Sequence, residues 1–317
     1  MKINSLLKSL LLGNTFPQEY LCLGSDQING EMQVELQMDN GLQIDVSNKH
    51  LFVGYKPLII AILSDQLLNN SGQVKLLLFQ TVGGKRNVIG EIILKIFHRM
   101  DFYGQVIFLL EGVSAKHELL STWHQLMNKG LYNYRADKKD NLYFDWNVYQ
   151  QVRLAYVVPR TISLISLAEK NLFNLFPTDL HGQINESSYM ISLRSKGKAF
   201  EQADRIKNLT LCNISAAKYN MVYSLGKRHM KDLSPFSELP FSDQVSDKYH
   251  FPLPLGTIEY RELELEKKIE HGVHQLLFFK CVNRKLLKNE AHLKHIHAWY
   301  AVWRSRNRLK TDYLIRD

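Results

Sequence analysis

This sequence predicts a mainly β chain of two domains, on three observations. Up to about residue 112, apolar residues come in runs of strand length separated by turn residues. Beyond residue 150 a second series of such runs is interrupted by one basic turn and a helical segment. Finally, 317 residues with 45% apolar and 11% aromatic content can fill one large core or two ordinary ones. The boundary is expected near residue 145, after the charged connection Asp137-Lys138-Lys139-Asp140, giving domains 1–145 and 146–317. Seventeen glycines, eight prolines and no long block of like charge exclude a collagen-like or low-complexity chain.

The elements follow in order. The first sixteen residues, MKINSLLKSLLLGNTF, read as a short amphipathic element, because Lys8 and Ser9 interrupt the leucines and no small-x-small cleavage site follows. No segment approaches the roughly 20 uninterrupted apolar residues of a membrane span, so a cytoplasmic protein without membrane contact is expected. Met32 to Met38 and Leu42 to Val46 alternate apolar and polar residues around Asn40-Gly41, which predicts a tight hairpin because both turn residues tolerate positive φ. Leu58 to Leu63, Val74 to Phe79, Val88 to Phe97 and Gln105 to Leu110 are further strands, parted by Asn69 to Gly72, Gly83 to Arg86 and Asp101 to Gly104. In Ala115 to Lys129 the period changes: Leu119, Leu120, Trp123, Leu126 and Met127 fall on one helical face, with Gly130 as the stop.

The second domain opens with Val152 to Leu167. Its long proline- and serine-rich stretch, Ser234 to Pro254, is expected to be a functional loop or a lid. Glu259 to Lys268 and Gln275 to Val282 are its later strands, and Glu262, Glu264 and Glu266 mark one wet face. Ala291 to Asp317 reads as a helix with an apolar stripe through Leu293, Ile296, Tyr300 and Trp303 and a basic far end. His292, His295 and His297 lack the cysteines or carboxylates that would make a metal site, so no metal is expected. Cys22, Cys212 and Cys281 are odd in number and far apart, which excludes a disulfide framework. The net charge of +9 is dispersed apart from the C-terminal segment; with no zinc-finger, RNP-like or helix-turn-helix pattern, nucleic acid is not the expected partner.

Several blocks carry possible chemistry. Arg194, Lys196 and Lys198 flank Gly197 in a turn between a strand and a helix, where cationic side chains and helix-start N–H groups can converge on an anion; an ordinary solvated basic turn has the same composition. Arg160 after Pro159 can reach such an anion or form a surface ion pair. In order, V-V-P-R-T-I-S-L, N-L-F-P-T-D-L-H-G, Y-M-I-S-L-R-S-K-G-K-A-F and D-R-I-K-N-L-T-L-C-N-I-S, followed by Gly272-Val273-His274, resemble the flavin reductase-like family over the second half of the chain. That resemblance implies an FMN-binding split β-barrel, preceded here by a β-rich domain with a closing helix. It implies an oxidoreductase that takes hydride from NADH or NADPH, bound transiently, onto FMN, and it implies a homodimer. Arg194, Lys196, Lys198 and Arg160 would hold the phosphate, Asn174 and Thr178 would line the turn, and His274 would sit near the ring as the catalytic candidate. Asp179 stands where the family usually has serine, and Val273 where it has aspartate. A non-catalytic flavin-binding module and a basic interaction protein are the other readings. Tyr55-Lys56-Pro57-Leu58 faintly echoes Val158-Pro159-Arg160-Thr161 and raises a degenerate second barrel, without the blocks for a second flavin site.

Overall fold

A computed structural model describes residues 5–28, 32–64, 72–136 and 144–316. The turn around Asn69 and the connection at 137–140 lie outside those residues. Helix α1 (Ser5–Leu12) and strand β1 (Tyr20–Gly24) come first, followed by β2 (Met32–Gln37), β3 (Gln43–Asp45), β4 (His50–Tyr55), β5 (Leu58–Leu63), β6 (Gln73–Val82), β7 (Lys85–Phe102) and β8 (Gln105–His117). Helices α2 (Thr122–Ala136) and α3 (Trp146–Ala155) lead to β9 (Arg160–Thr161), β10 (Ser163–Glu169), β11 (Leu172–Thr178), β12 (His181–Asn185) and β13 (Ser188–Arg194). Helix α4 (Lys198–Ile206), β14 (Asn208–Ile214), α5 (Tyr219–Ser224), β15 (Ser234–Pro235), β16 (Phe241–Val245), β17 (Pro252–Pro254), β18 (Thr257–His271), β19 (His274–Leu286), β20 (Leu293–His297) and α6 (Ala298–Arg306) complete the order.

The chain is mainly β, as expected. Strands β3-β2-β6-β7-β8-β5-β4 form one seven-stranded sheet, and β12-β13-β19-β18-β14-β10-β11-β15 form an eight-stranded one. A split-barrel reading of the second half fits this larger antiparallel sheet with α4 inserted between β13 and β14. The continuous apolar run Leu58–Leu63 has a direct explanation, because both of its faces are buried. Ile59, Ala61 and Leu63, with Ile107 and Leu109, meet Ile184, Met190, Leu276 and Phe278 of the second sheet. Leu58, Ile60 and Ile62 face the opposite way, into a core shared with α3, Ile296, Trp299 and Tyr300. Helix α3, which follows residue 145, therefore packs on the first sheet; the Asp145 carboxylate caps it by accepting the Val148 N–H at 2.8 Å.

The Asn40-Gly41 hairpin forms, but only Gly41 takes positive φ (+82°), while the Asn40 side chain accepts the Leu42 N–H. At Tyr103-Gly104 both residues take positive φ, +52° and +74°. Three elements differ from expectation. Strand β8 continues to His117, so the helix begins at Thr122, runs past Gly130 to Ala136, and leaves Trp123 and Leu126 exposed. The C-terminal helix gives its first turns to β20, which sits between β1 and β9. Glu262 is fully buried: its carboxylate accepts the N–H groups of Lys248 and Tyr249 and the Asn283 amide, which ties down the 246–251 loop. The 234–254 stretch forms β15, β16 and β17 and packs Leu239, Phe241 and Leu253 into the core. Pro57 lies in the β4–β5 turn, whereas Pro159 precedes an edge strand, so the two echoing segments do not occupy equivalent places. Among the described residues no helix is long and apolar enough to cross a membrane.

Candidate functional site

Where the seven-stranded sheet meets the eight-stranded one and the small sheet β1-β20-β9 lies a cavity of about 510 Å³, lined by Val34, Ser47 and His50, by Arg160 and Lys294 of the small sheet, and by Asp179, His181 and Arg261. This volume is ordinary for a small-molecule site. Pairing of β9 with β20 places His295 opposite Arg160 and Lys294 opposite Thr161. Arg160 is only 8% exposed. It donates from Nη2 to the Ala155 carbonyl at 3.2 Å and lies over the Phe52 ring, but its Nε has no partner among the described residues. Burial, only partly offset by Tyr156 and Asp179, pulls its pKa down to about 10. That is the signature of a buried cation short of negative charge.

The remaining charges leave the wall positive. Arg261 and Arg284 share one carboxylate, Glu259, at 3.1 and 2.5 Å, and the other Glu259 oxygen accepts the Asn213 amide at 2.7 Å. Lys294 has no ion-pair partner among the described residues, and burial lowers its pKa. Four cationic side chains thus face two carboxylates, Asp179 and Glu259, around the cavity. His50 and His181 are held neutral by burial, each with its pKa lowered to about 4. Asp179 is committed elsewhere: Oδ2 accepts the Tyr156 hydroxyl and pairs with His295 Nε2, both at 2.7 Å. Burial alone would raise its pKa, but these partners bring it down to about 2. His295 Nδ1 in turn meets the Tyr223 hydroxyl at 3.1 Å. The histidines near the C-terminus therefore have separate tasks, since His297 accepts the Trp299 N–H.

Of the seven residues singled out in the sequence, Arg160 alone lines the cavity. Asn174 is fully buried; its amide donates to Gln202 at 2.7 Å and its oxygen accepts the Leu175 N–H, fastening β11 to α4. Thr178 ends β11 opposite Ser163, also buried. Arg194 donates from Nε to the Tyr55 hydroxyl, Lys198 pairs with Glu201 and Asp232 at 3.4 Å, and Lys196 is exposed, so the basic turn faces outward. His274 is fully buried, and both its nitrogens are used: Nε2 accepts the Tyr55 N–H at 3.1 Å, and Nδ1 meets Ser192 Oγ at 3.0 Å. In this arrangement it ties the two sheets together. Arg261, Arg284 and Lys294 were missed because the glutamates of β18 and the helical spacing around residue 294 masked them as surface residues.

No family model and no curated protein matches the chain. Solved structures similar to part of it include the NADH:FAD oxidoreductase SgcE6 of Streptomyces globisporus C-1027, at 10% identity over 51% of this chain and 95% of that one, with a TM-score of 0.43. The styrene monooxygenase flavin reductase of Pseudomonas putida S12 is similar at 17% identity over 47% and 93%, with a TM-score of 0.39. An FMN-binding protein from Thermus thermophilus is similar at 15% identity over 40% and 71%, with a TM-score of 0.37.

Proposed function

We propose that this protein binds an anionic flavin, FMN in the first instance, in the cavity where its sheets meet and acts as a flavin reductase-like oxidoreductase that draws electrons from NADH or NADPH. The observation that carries this reading is Arg160, a buried guanidinium whose Nε has no partner among the described residues, in the wall of a cavity of suitable size. A phosphate would supply the missing negative charge there through charge-assisted hydrogen bonds. Lys294 and Arg261 add positive potential, while Glu259 holds Arg261 and Arg284 in place. Tyr189 and His181, stacked with ring centroids 5.8 Å apart, offer flat surface to a planar ring. When bound, flavin supplies the two-electron chemistry; the protein's part is to bind, orient and exclude water. The homodimer stays with this proposal on the sequence resemblance, and the faces of β13 and β19 already covered by the first sheet cannot serve it.

A second reading, a flavin-binding module without turnover, is favoured by His274, whose two nitrogens are both engaged within the protein, by Tyr55 and Ser192. The basic interaction reading is weakened because α6 is largely core, with Arg304 fully buried. The test is the visible spectrum after FMN is added and excess removed, followed by NADH or NADPH without oxygen. Retained flavin that bleaches supports the reductase. Retained flavin that stays oxidised favours the module, and a colourless protein overturns both.

A further inference from the structure

Of the two nitrogens of the His181 ring, one is placed by a neighbour and one is not. His181 opens β12, the edge strand of the eight-stranded sheet, and Tyr189 of β13 pairs with Gln183 two residues further on, so the His181 and Tyr189 side chains share a face. Their rings stack at 24°, and His181 Nδ1 lies 2.8 Å from the Tyr189 hydroxyl. Burial raises the pKa of that phenol, so it keeps its proton and donates it to Nδ1. The neutral imidazole then carries its own proton on Nε2. That Nε2 is buried and makes no hydrogen bond among the described residues, and the same holds for Arg160 Nε in the wall of the same cavity. Beyond burial, the groups that act on the His181 ring are Asp179, Arg261, the Thr161 carbonyl and Arg160, which sets the ring beside β9; the Thr161 carbonyl falls short of hydrogen-bond geometry. Asp179 is held by Tyr156 and His295 and gives neither free donor an acceptor.

We propose that His181 is the second donor of the anion subsite, its Nε2–H receiving a phosphate monoester together with the Nε–H of Arg160, and that Tyr189 is the positioning residue that fixes the tautomer. A buried donor without an acceptor weakens the fold, and one phosphate group offers oxygens enough for both. The guanidinium brings the charge, whereas the neutral imidazole adds a directed hydrogen bond without a second cation to desolvate. Only the edge of the His181 ring is used in this way, which leaves its stacking with Tyr189 undisturbed. The inference rests on the anion subsite of the proposed function and not on the ring that the phosphate carries.

Nitrogen NMR of the full chain with isotope-labelled histidine tests the tautomer. The His181 signal, identified by its loss in His181→Gln, is expected to show the proton on Nε2 and to shift when inorganic phosphate is added; a proton on Nδ1 overturns the proposal. Affinities then separate an anion contact from a flat surface under the ring. His181→Phe should weaken FMN binding about tenfold and that of riboflavin, which lacks the phosphate, by no more than about twofold. His181→Gln, which keeps an N–H donor, should recover most of the FMN affinity. Equal weakening of FMN and riboflavin, or FMN binding that His181→Phe leaves unchanged, sinks this inference and spares the flavin reading. If the parent retains neither flavin, inorganic phosphate decides at constant ionic strength. A rise in melting temperature that His181→Phe abolishes supports the subsite while removing the flavin reading, and no rise in the parent overturns both.

Discussion

Among single residues, Arg160 gives the cavity its buried positive charge. It was legible in the sequence as a cation after Pro159, but its burial was not, because exposure depends on strand β20, which is brought beside it from more than a hundred residues away. Arg160→Met removes a buried charge that has one hydrogen bond, so the urea midpoint should hold or rise while FMN affinity falls about tenfold or more. Lys198→Gln, on the outward basic turn, should change that affinity by no more than about twofold, as expected for an exposed cation already paired with carboxylates. Equilibrium titration with both variants checks this, and the reverse pattern would move the phosphate to the basic turn. His274 shows the other side: its G-x-H context predicts a ligand contact, and in the fold the ring bonds Tyr55 and Ser192. His274→Ala should cost about 1–3 kcal/mol for each buried polar group left unpaired. Denaturant unfolding measures that loss, and a variant as stable as the parent would contradict the tie.

At the scale of elements, local chemistry was readable where it settles the structure by itself. Asn40-Gly41, Gly83-Gly84 and Tyr103-Gly104 all turn hairpins, since a positive φ in a two- or three-residue loop leaves few alternatives. Periodicity misled where tertiary contacts override it. Leu293 and Ile296 fit a helical stripe, but an open edge beside β1 recruits them as a strand, and Leu119 and Leu120 are buried ahead of α2 rather than on it. The Gly272-Val273 turn between β18 and β19 was recognised for its histidine, while the demanding residue is the glycine. At φ +61° it lies against the Lys56 carbonyl and Pro57, and Val273 N–H donates to that carbonyl at 3.1 Å. Gly272→Ala should therefore lose about 1–3 kcal/mol from backbone strain alone, with a further loss from collision with the β4–β5 turn. Thermal unfolding reads the change; an unaltered midpoint would mean that the turn shifts freely.

For the whole molecule, the sequence disclosed two β-rich series but not their mutual burial, because a strand buried on both faces looks the same whichever sheet covers it. Acid stability belongs to this scale. Burial is the main cause that lowers the pKa of His50, His117, His181, His274 and His297 to about 4 from 6.5. The fold keeps them neutral while the unfolded chain takes up protons, so stability is full above pH 6.5 and falls as pH drops towards 4. Urea midpoints measured through that interval should decline steadily, and a level profile would show that these rings reach water. The shared cores also govern how the protein comes into being. Ile59, Ala61 and Leu63 are covered by Leu276 and Phe278, and the other face of the same sheet by Ile296 and Tyr300, all encoded near the far end of the chain. At the usual pace of about 5–20 residues per second, a nascent chain must carry this apolar sheet only partly covered, by α3, Ile184 and Met190, for much of roughly ten to forty seconds on the ribosome. During that interval the half-covered strands expose apolar surface that can pair with other chains, so aggregation is favoured before the last strands arrive.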